Sequence, residues 1–181
     1  PDAYLAQLQA AKLNDDVEVA HYAATAVAQI SKESDLKLQQ LERAYKTDPS
    51  AANLGAYCDF LGTYLESGLA EGRVAQIQHQ QYAQLLARRC ECEDSVPLRV
   101  AYAGALADAG DIDEAQSVAN QLIADAPDEQ DAWMLCLRLA VMRRDGAGVQ
   151  QVIDAIDNQH VYLSAENREK LTFWRDGEEA R

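Results

Sequence analysis

The stretch DAGDIDEAQSVANQLIADAP, residues 108–127, places a glycine and an aspartate before an amphipathic segment and closes that segment with a proline. Gly110 and Asp111 are typical of a turn between helices, because glycine readily adopts the left-handed conformation that ends a helix. Ala115 stands twelve residues before Pro127, and proline cannot continue a helix. The stretch is either a single helix with its stop signal or one unit of a helical repeat.

The composition favours helices over sheets and disfavours nucleic acid as a ligand. The chain has 181 residues, 48% of them hydrophobic, with only 2 Phe and 2 Trp. Acidic residues outnumber basic ones by 30 to 16, and the resulting net charge of −14 repels phosphate backbones and anionic membranes. No apolar run approaches the roughly 20 residues that span a bilayer, so we expect this segment to be soluble.

Apolar residues recur at helical spacing along the chain, which predicts about ten helices, no convincing strand and an all-α protein. Asp15, three residues before Glu18, predicts a helix start resembling a capping box. Whether Ser31 to Ser34 interrupts the second segment is left open. The predicted helices cover residues 2–13, 14–30, 34–49, 51–67, a segment ending near Cys90, 96–109, 112–125, 129–143, 146–158 and 164–175.

The opening stretch resembles the second half of a tetratricopeptide repeat, in which a glycine turn precedes an early alanine and a proline closes the unit. The matching residues are Gly110, Asp111, Ile112, Ala115 and Pro127. Advancing 34 residues from Arg99, where the family favours tryptophan, leads to Trp133. The second unit departs from the pattern, because Arg144 and Gly146 stand where a glycine turn and an aromatic residue are expected.

The resemblance implies a right-handed solenoid of helix pairs forming a single structural domain over residues 1–181. The N-terminal helices look more like HEAT helices, so we expect a mixed array. The expected parts are N-terminal HEAT- or tetratricopeptide-like helices (1–50), repeats over 51–163 (an extended unit 52–95, then 96–129 and 130–163) and a C-terminal capping helix (164–176).

Ligands of such arrays usually lie on the inner surface formed by the first helix of each pair. By resemblance, the predicted partner-binding residues are Asn53, Phe60, Tyr64, Val100, Asp108, Met134, Arg138, Val141 and Met142. Arg138 is the main cation of this groove and could hold a partner's carboxylate. Alternatively, Phe60, Tyr64 and Met134 pack against neighbouring helices, as apolar residues at helical spacing usually do.

Two further features narrow the class of partner. Tetratricopeptide proteins that hold a chaperone's C-terminal carboxylate need Lys and Asn on the inner surface, where this chain has Ala56, Phe60, Pro97 and Ala101. Residues 108–157 hold eleven acidic residues and three arginines, a local charge of −8 that could steer a basic partner. The absence of Lys and Asn at these inner positions disfavours the C-terminus of a chaperone as the partner.

No catalytic or cofactor-binding motif is recognisable. His21, His79 and His160 lie on separate helices or at a helix end, and no Gly-rich phosphate loop, G-x-S-x-G or H-E-x-x-H sequence occurs. We therefore expect no enzyme activity and no cofactor.

The four cysteines match neither a paired zinc-binding motif nor a small disulfide scaffold, so no metal site is expected. Cys58 and Cys136 lie among apolar residues and are predicted to be buried. Cys90 and Cys92 close a helix, where a disulfide is the less favoured interpretation.

A second resemblance starts at residues 15–50, DDVEVAHYAATAVAQISKESDLKLQQLERAYKTDPS, and extends to about residue 175. The stretch is similar to the cytosolic part of the E component of Pel-type exopolysaccharide systems, and VAHYAATA is its sharpest element. The resemblance implies a bacterial scaffold that joins a cyclic-di-GMP receptor and a glycosyltransferase at the cytoplasmic face of the inner membrane. The resemblance also implies transmembrane helices upstream of this segment, and the start of the chain at Pro1 rather than Met agrees with that expectation. The alternative is a general tetratricopeptide adaptor or co-chaperone that binds a peptide.

Overall fold

The computed structural model describes the backbone of residues 2–179 and the side chains of residues 3–175. Within this part of the chain there are nine α-helices and no strand, which confirms the all-α prediction and agrees with a tetratricopeptide-like arrangement. The helices are α1 (Asp2–Ala11), α2 (Val17–Thr47), α3 (Ala51–Glu66), α4 (Gly72–Cys92), α5 (Val96–Ala109), α6 (Ile112–Asp125), α7 (Gln130–Met142), α8 (Gly146–Asn158) and α9 (Ala165–Glu179).

The helices form two compact units, which divide within α4 between Leu85 and Leu86. The domain boundaries drawn from the sequence, including the single domain over 1–181, remain predictions. Pro1 and residues 180–181, at the ends of that range, lie outside the described residues.

In the first unit, α2 is one continuous helix of 31 residues, so no break occurs between Ser31 and Ser34. Its N-cap is Asp16 rather than the predicted Asp15. The Asp16 carboxylate accepts hydrogen bonds from the backbone N–H groups of Glu18 (2.9 Å) and Val19 (3.4 Å), two groups that lack partners within the helix.

The core of the first unit forms around α3. Leu61 and Tyr57 are almost fully buried there. The core cluster comprises Leu54, Tyr57, Cys58, Leu61, Tyr64 and Leu85. Gly62 allows the Tyr82 ring of α4 to approach closely, since a Cβ at this position would lie 2.7 Å from the Tyr82 hydroxyl oxygen.

The second unit repeats the same packing positions every 34 residues. Ala103 on α5, Leu137 on α7 and Leu171 on α9 are all buried. The core around α7 and α8 comprises Trp133, Leu137, Ala140, Val149, Ile153, Ile156, Leu163 and Leu171. The first helix of each pair, called here the first-of-pair helix, is α5 in one pair and α7 in the next. The helix α9 occupies the same place after α8, so the described part of the unit has three first-of-pair helices: α5, α7 and α9.

The turn between the two helices of each pair also repeats. Gly110 has φ 93°, and Arg144, 34 residues later, has φ 56°. Asp111 N–H donates to the Leu106 carbonyl at 2.9 Å, and Asp145 N–H donates to the Ala140 carbonyl at 3.0 Å. The expected glycine turn therefore forms with an arginine, although left-handed backbone is unfavourable for any residue with a side chain.

These two turns predict opposite effects of reciprocal substitutions. Arg144→Gly should raise the free energy of unfolding by about 0.5 kcal/mol, because relief of left-handed strain exceeds the entropy that glycine adds to the unfolded chain. Gly110→Ala should lower it by about 1 kcal/mol, since alanine is strained at this φ. Urea unfolding followed by circular dichroism measures both. A destabilised Arg144→Gly variant would show that the arginine side chain makes a larger contribution than its backbone strain costs.

Candidate partner-binding site

A cleft of about 460 Å³ lies in the second unit, between α5, α7 and α9. It contains four of the residues predicted from the sequence: Val100, Met134, Arg138 and Val141. The 34-residue repeat explains this grouping, because it places the same face of each first-of-pair helix along one surface. The remaining lining residues are Gly104, Asp131, Leu135, Leu137, Asn167, Lys170 and Trp174.

A buried amide holds the α9 wall of the cleft. Asn167 is 8% exposed and occupies the position that Trp133 has one repeat earlier. Its Nδ2 donates to Gln130 Oε1 (3.1 Å) and to Asp131 Oδ1 (3.3 Å). The backbone N–H of Ser164 also donates to Gln130 Oε1 (2.7 Å). Polar contacts therefore fix the start of α9 against the first turn of α7.

Both cations of the cleft already have carboxylate partners in the chain. Arg138 forms an ion pair with Asp108 of α5. Lys170 Nζ lies 2.7 Å from Glu166 Oε1 on the same helix. With Asp131 also lining the cleft, two cations stand beside three carboxylates. A partner carboxylate at Arg138, as predicted from the sequence, would have to compete with Asp108.

The other predicted residues of the second unit lie beside this cleft rather than in its lining. The Asp108 side chain, on α5, is 37% exposed and serves as the ion-pair partner of Arg138. Met142, the last residue of α7, is 44% exposed. Partner binding by these two residues remains a prediction.

The three predicted residues of the first unit lie on α3. Asn53 Nδ2 donates to the Asp48 backbone carbonyl (2.9 Å) and to its carboxylate (3.0 Å), which ties the start of α3 to the end of α2. Phe60 is half-buried and packs against the core cluster of this unit. Binding by Asn53 and Phe60 remains a prediction.

Tyr64 takes the packing position that the sequence left open as an alternative. Its side chain is buried, and its hydroxyl donates to Asp35 Oδ1 at 2.7 Å. Burial, reinforced by this hydrogen bond, raises the pKa of Tyr64 to about 12. The raised pKa extends the pH range in which the hydroxyl is protonated and can donate to Asp35.

A second cavity, of about 400 Å³, lies between α6, α7 and α8 and had no signal in the sequence. Cys136 lines it, and Gln116 Nε2 donates to the Cys136 sulfur at 3.6 Å. Burial raises the pKa of the Cys136 thiol to about 11, so it is neutral at physiological pH. The predicted burial of Cys58 and Cys136 is confirmed, and Cys90 and Cys92 are free thiols.

The three histidines lie in different parts of the chain. His21 lies on α2 and His79 on α4, while His160 follows the end of α8 in left-handed conformation. Among the side chains of residues 3–175, no group of three or more His, Cys, Asp or Glu is arranged to hold a metal ion. No described helix is long and apolar enough to cross a membrane.

The position of Tyr64 predicts that it contributes to folding. Tyr64→Phe should lower the free energy of unfolding by about 1 kcal/mol through loss of the Asp35 hydrogen bond, and Tyr64→Ala by about 3 kcal/mol through loss of packing. Since the folded pKa lies above the unfolded value of about 10, this stabilisation should be present below pH 10 and lost as pH rises toward 12.

Urea unfolding measures these changes. Tyr22→Phe is the matched control, because Tyr22 is 72% exposed. A Tyr64→Ala variant as stable as the wild-type chain would contradict the packing role; partner binding by Tyr64 remains a prediction.

The amide of Asn167 predicts a pH-dependent defect. Asn167→Asp should destabilise the second unit by about 2 kcal/mol at neutral pH, because a carboxylate would replace a donor beside the oxygens of Gln130 and Asp131. Burial and the Asp131 charge should raise the pKa of the introduced carboxyl. The loss of unfolding free energy relative to the wild-type chain should therefore shrink as pH falls toward about 4.

The measurement is the difference in unfolding free energy between variant and wild-type chain across this pH range. Asn120→Asp, at an exposed position of α6, is the control. A deficit that is independent of pH would mean that the introduced carboxyl does not titrate in contact with Asp131.

Comparison with known proteins supports one part of the sequence analysis. Residues 96–141 match the tetratricopeptide repeat family. The match begins with α5 and ends within α7, so it covers one complete helix pair and most of the next first-of-pair helix. No curated protein and no solved structure matches the chain. The tetratricopeptide-repeat resemblance is thus supported over α5, α6 and most of α7, the helices that build two of the three walls of the cleft.

Proposed function

We propose that the chain is a non-enzymatic scaffold for protein–protein interaction and that a partner segment binds in the cleft between α5, α7 and α9. A tetratricopeptide repeat suggests a scaffold of this kind, and its all-helical fold is typically non-enzymatic. The observation that supports the location is the apolar surface that Val100, Met134, Val141 and Trp174 present in one cleft.

This surface would contribute favourably to the free energy of binding. Full burial of one large apolar side chain contributes about 1.5 to 3 kcal/mol. A partner that places two or three such side chains in the cleft would gain enough to offset part of the entropy lost on association. The flanking ion pairs, Arg138 with Asp108 and Lys170 with Glu166, are partly exposed and would contribute more to specificity than to affinity.

Within this function, we propose a role in a bacterial Pel-type exopolysaccharide complex. The support is the resemblance of residues 15–175 to the E component of such systems. Its sharpest element, VAHYAATA, forms residues 19–26 of α2, where Tyr22 is 72% exposed and Ala23 is buried. The partners would be the cyclic-di-GMP receptor and the glycosyltransferase, held at the cytoplasmic face of the inner membrane by an anchor elsewhere in the protein.

Binding measurements with the purified chain test both parts of the proposal. Immobilised chain should bind a Pel-type cyclic-di-GMP receptor or glycosyltransferase, and the double variant Val100→Gln/Met134→Gln should lower the affinity at least tenfold, about 1.4 kcal/mol. Tyr162→Gln is the control, because Tyr162 is 79% exposed and outside the cleft lining. Thermal melts establish that the variants fold.

Two results would contradict the proposal in different ways. Unchanged affinity of a folded double variant would place the interface outside the cleft. Binding of unrelated peptides in the cleft, without binding of either Pel-type protein, would favour the general adaptor over the Pel-type role.

A further inference from the structure

Gly104 is a helical glycine that the fold of the second unit does not require. It lies within α5, where glycine stabilises a helix less than alanine does. A Cβ added at Gly104 would meet no heavy atom within 4 Å. By contrast, a Cβ at Gly62 would meet the Tyr82 hydroxyl at 2.7 Å, and Gly110 has a φ of 93°. Neither close packing nor backbone conformation accounts for glycine at position 104.

The surroundings of Gly104 supply another reason for the missing side chain. Gly104 lines the cleft together with Val100 on the same helix and Met134 on α7. One repeat later the equivalent position is Arg138, whose side chain is long. At Gly104 the helix backbone itself therefore forms part of the cleft surface, and a bound chain can approach α5 more closely there than over any residue with a side chain.

The charges around the cleft indicate which kind of partner segment would bind there. Arg138 and Lys170 are each paired with a carboxylate of the chain, and Asp131 adds a third acidic group. The chain as a whole has 30 acidic against 16 basic residues, and its net charge of −14 makes the long-range field negative. A segment with basic flanks gains from this field, whereas one with acidic flanks is repelled by it.

We propose that Gly104 is the point of closest approach for a partner segment that is apolar at its centre and basic at both ends. This inference rests on the proposed function, since it names the class of partner for the same cleft. The apolar centre lies between Val100, Met134 and Trp174, with its backbone against Gly104. The basic flanks face the acidic residues at the margin of the cleft.

The test uses the full chain and a random peptide library displayed on phage, with peptides of about 12 residues, long enough to place several alternate side chains along a groove. Selected peptides should have apolar centres flanked by Lys or Arg. Gly104→Ala should lower the affinity for the most enriched peptide about tenfold, while raising the melting temperature of the chain through better helix propensity. A variant that is more stable but binds more weakly shows that the affinity is lost through a missing contact with the peptide and not through misfolding.

Gly55→Ala is the matched control. Gly55 lies within α3 of the first unit, and a Cβ there also meets nothing within 4 Å. This substitution should raise the melting temperature without changing the affinity. An equal loss of affinity in both variants would overturn the role of Gly104.

The outcomes separate this inference from the proposed function. Affinity lost in Val100→Gln/Met134→Gln but unchanged in Gly104→Ala would keep the cleft and overturn the role of Gly104. Enrichment of acidic peptides, or self-association of the chain that Gly104→Ala abolishes, would overturn the partner class. Peptides that bind the double variant as well as the wild-type chain, or no enrichment at all, would overturn the cleft as a binding site and this inference with it.

Discussion

A short helix in the second unit buries its apolar face only by packing against neighbouring helices, both the one next to it in sequence and, as for α5 and α7, the corresponding helix of the next pair. The second unit meets this constraint by repeating the packing position of Ala103 at Leu137 and Leu171, so that each first-of-pair helix supplies one side chain to the same layer. A helix pair of this size cannot bury its apolar face alone, and stacking makes the core continuous. The cleft follows from this stacking, because three helices related by the same step present their remaining faces side by side.

Helix ends could be predicted from the sequence where single residues act on the local backbone. The bounds of α5, α6 and α8 were predicted to the residue, because Gly110, Pro127 and Asp145 mark helix ends through backbone conformation or capping. The continuity of α2 was left open, since Ser31–Ser34 contains neither proline nor glycine, and side chains of this type can either continue or interrupt a helix.

Positions that depend on tertiary contacts were harder to predict. Both the inner and the packed faces of a first-of-pair helix can be apolar, so the period of the pattern does not reveal which face holds Tyr64. The structure places this side chain in the core, with its hydroxyl on Asp35. Likewise, Asp108 and Arg138 are 30 residues apart, and only the stacking of α5 on α7 makes them an ion pair. Four residues of the predicted groove still line one cleft, because the repeat period places them on one face.

The buried amide of Asn167 specifies register as well as adding stability. If α9 moved by one helical turn along α7, about 5.4 Å, its Nδ2 would lose both acceptors, and leaving a buried donor unpaired costs about 1 to 3 kcal/mol. An apolar residue at this position would distinguish such alternatives far less sharply, because apolar contacts have little directionality. Trp174, on the same helix, can therefore present its ring at one defined depth. The position of the α9 wall along α7 is thus set by hydrogen bonds at Gln130 and Asp131, and a partner meets these two walls in one fixed register.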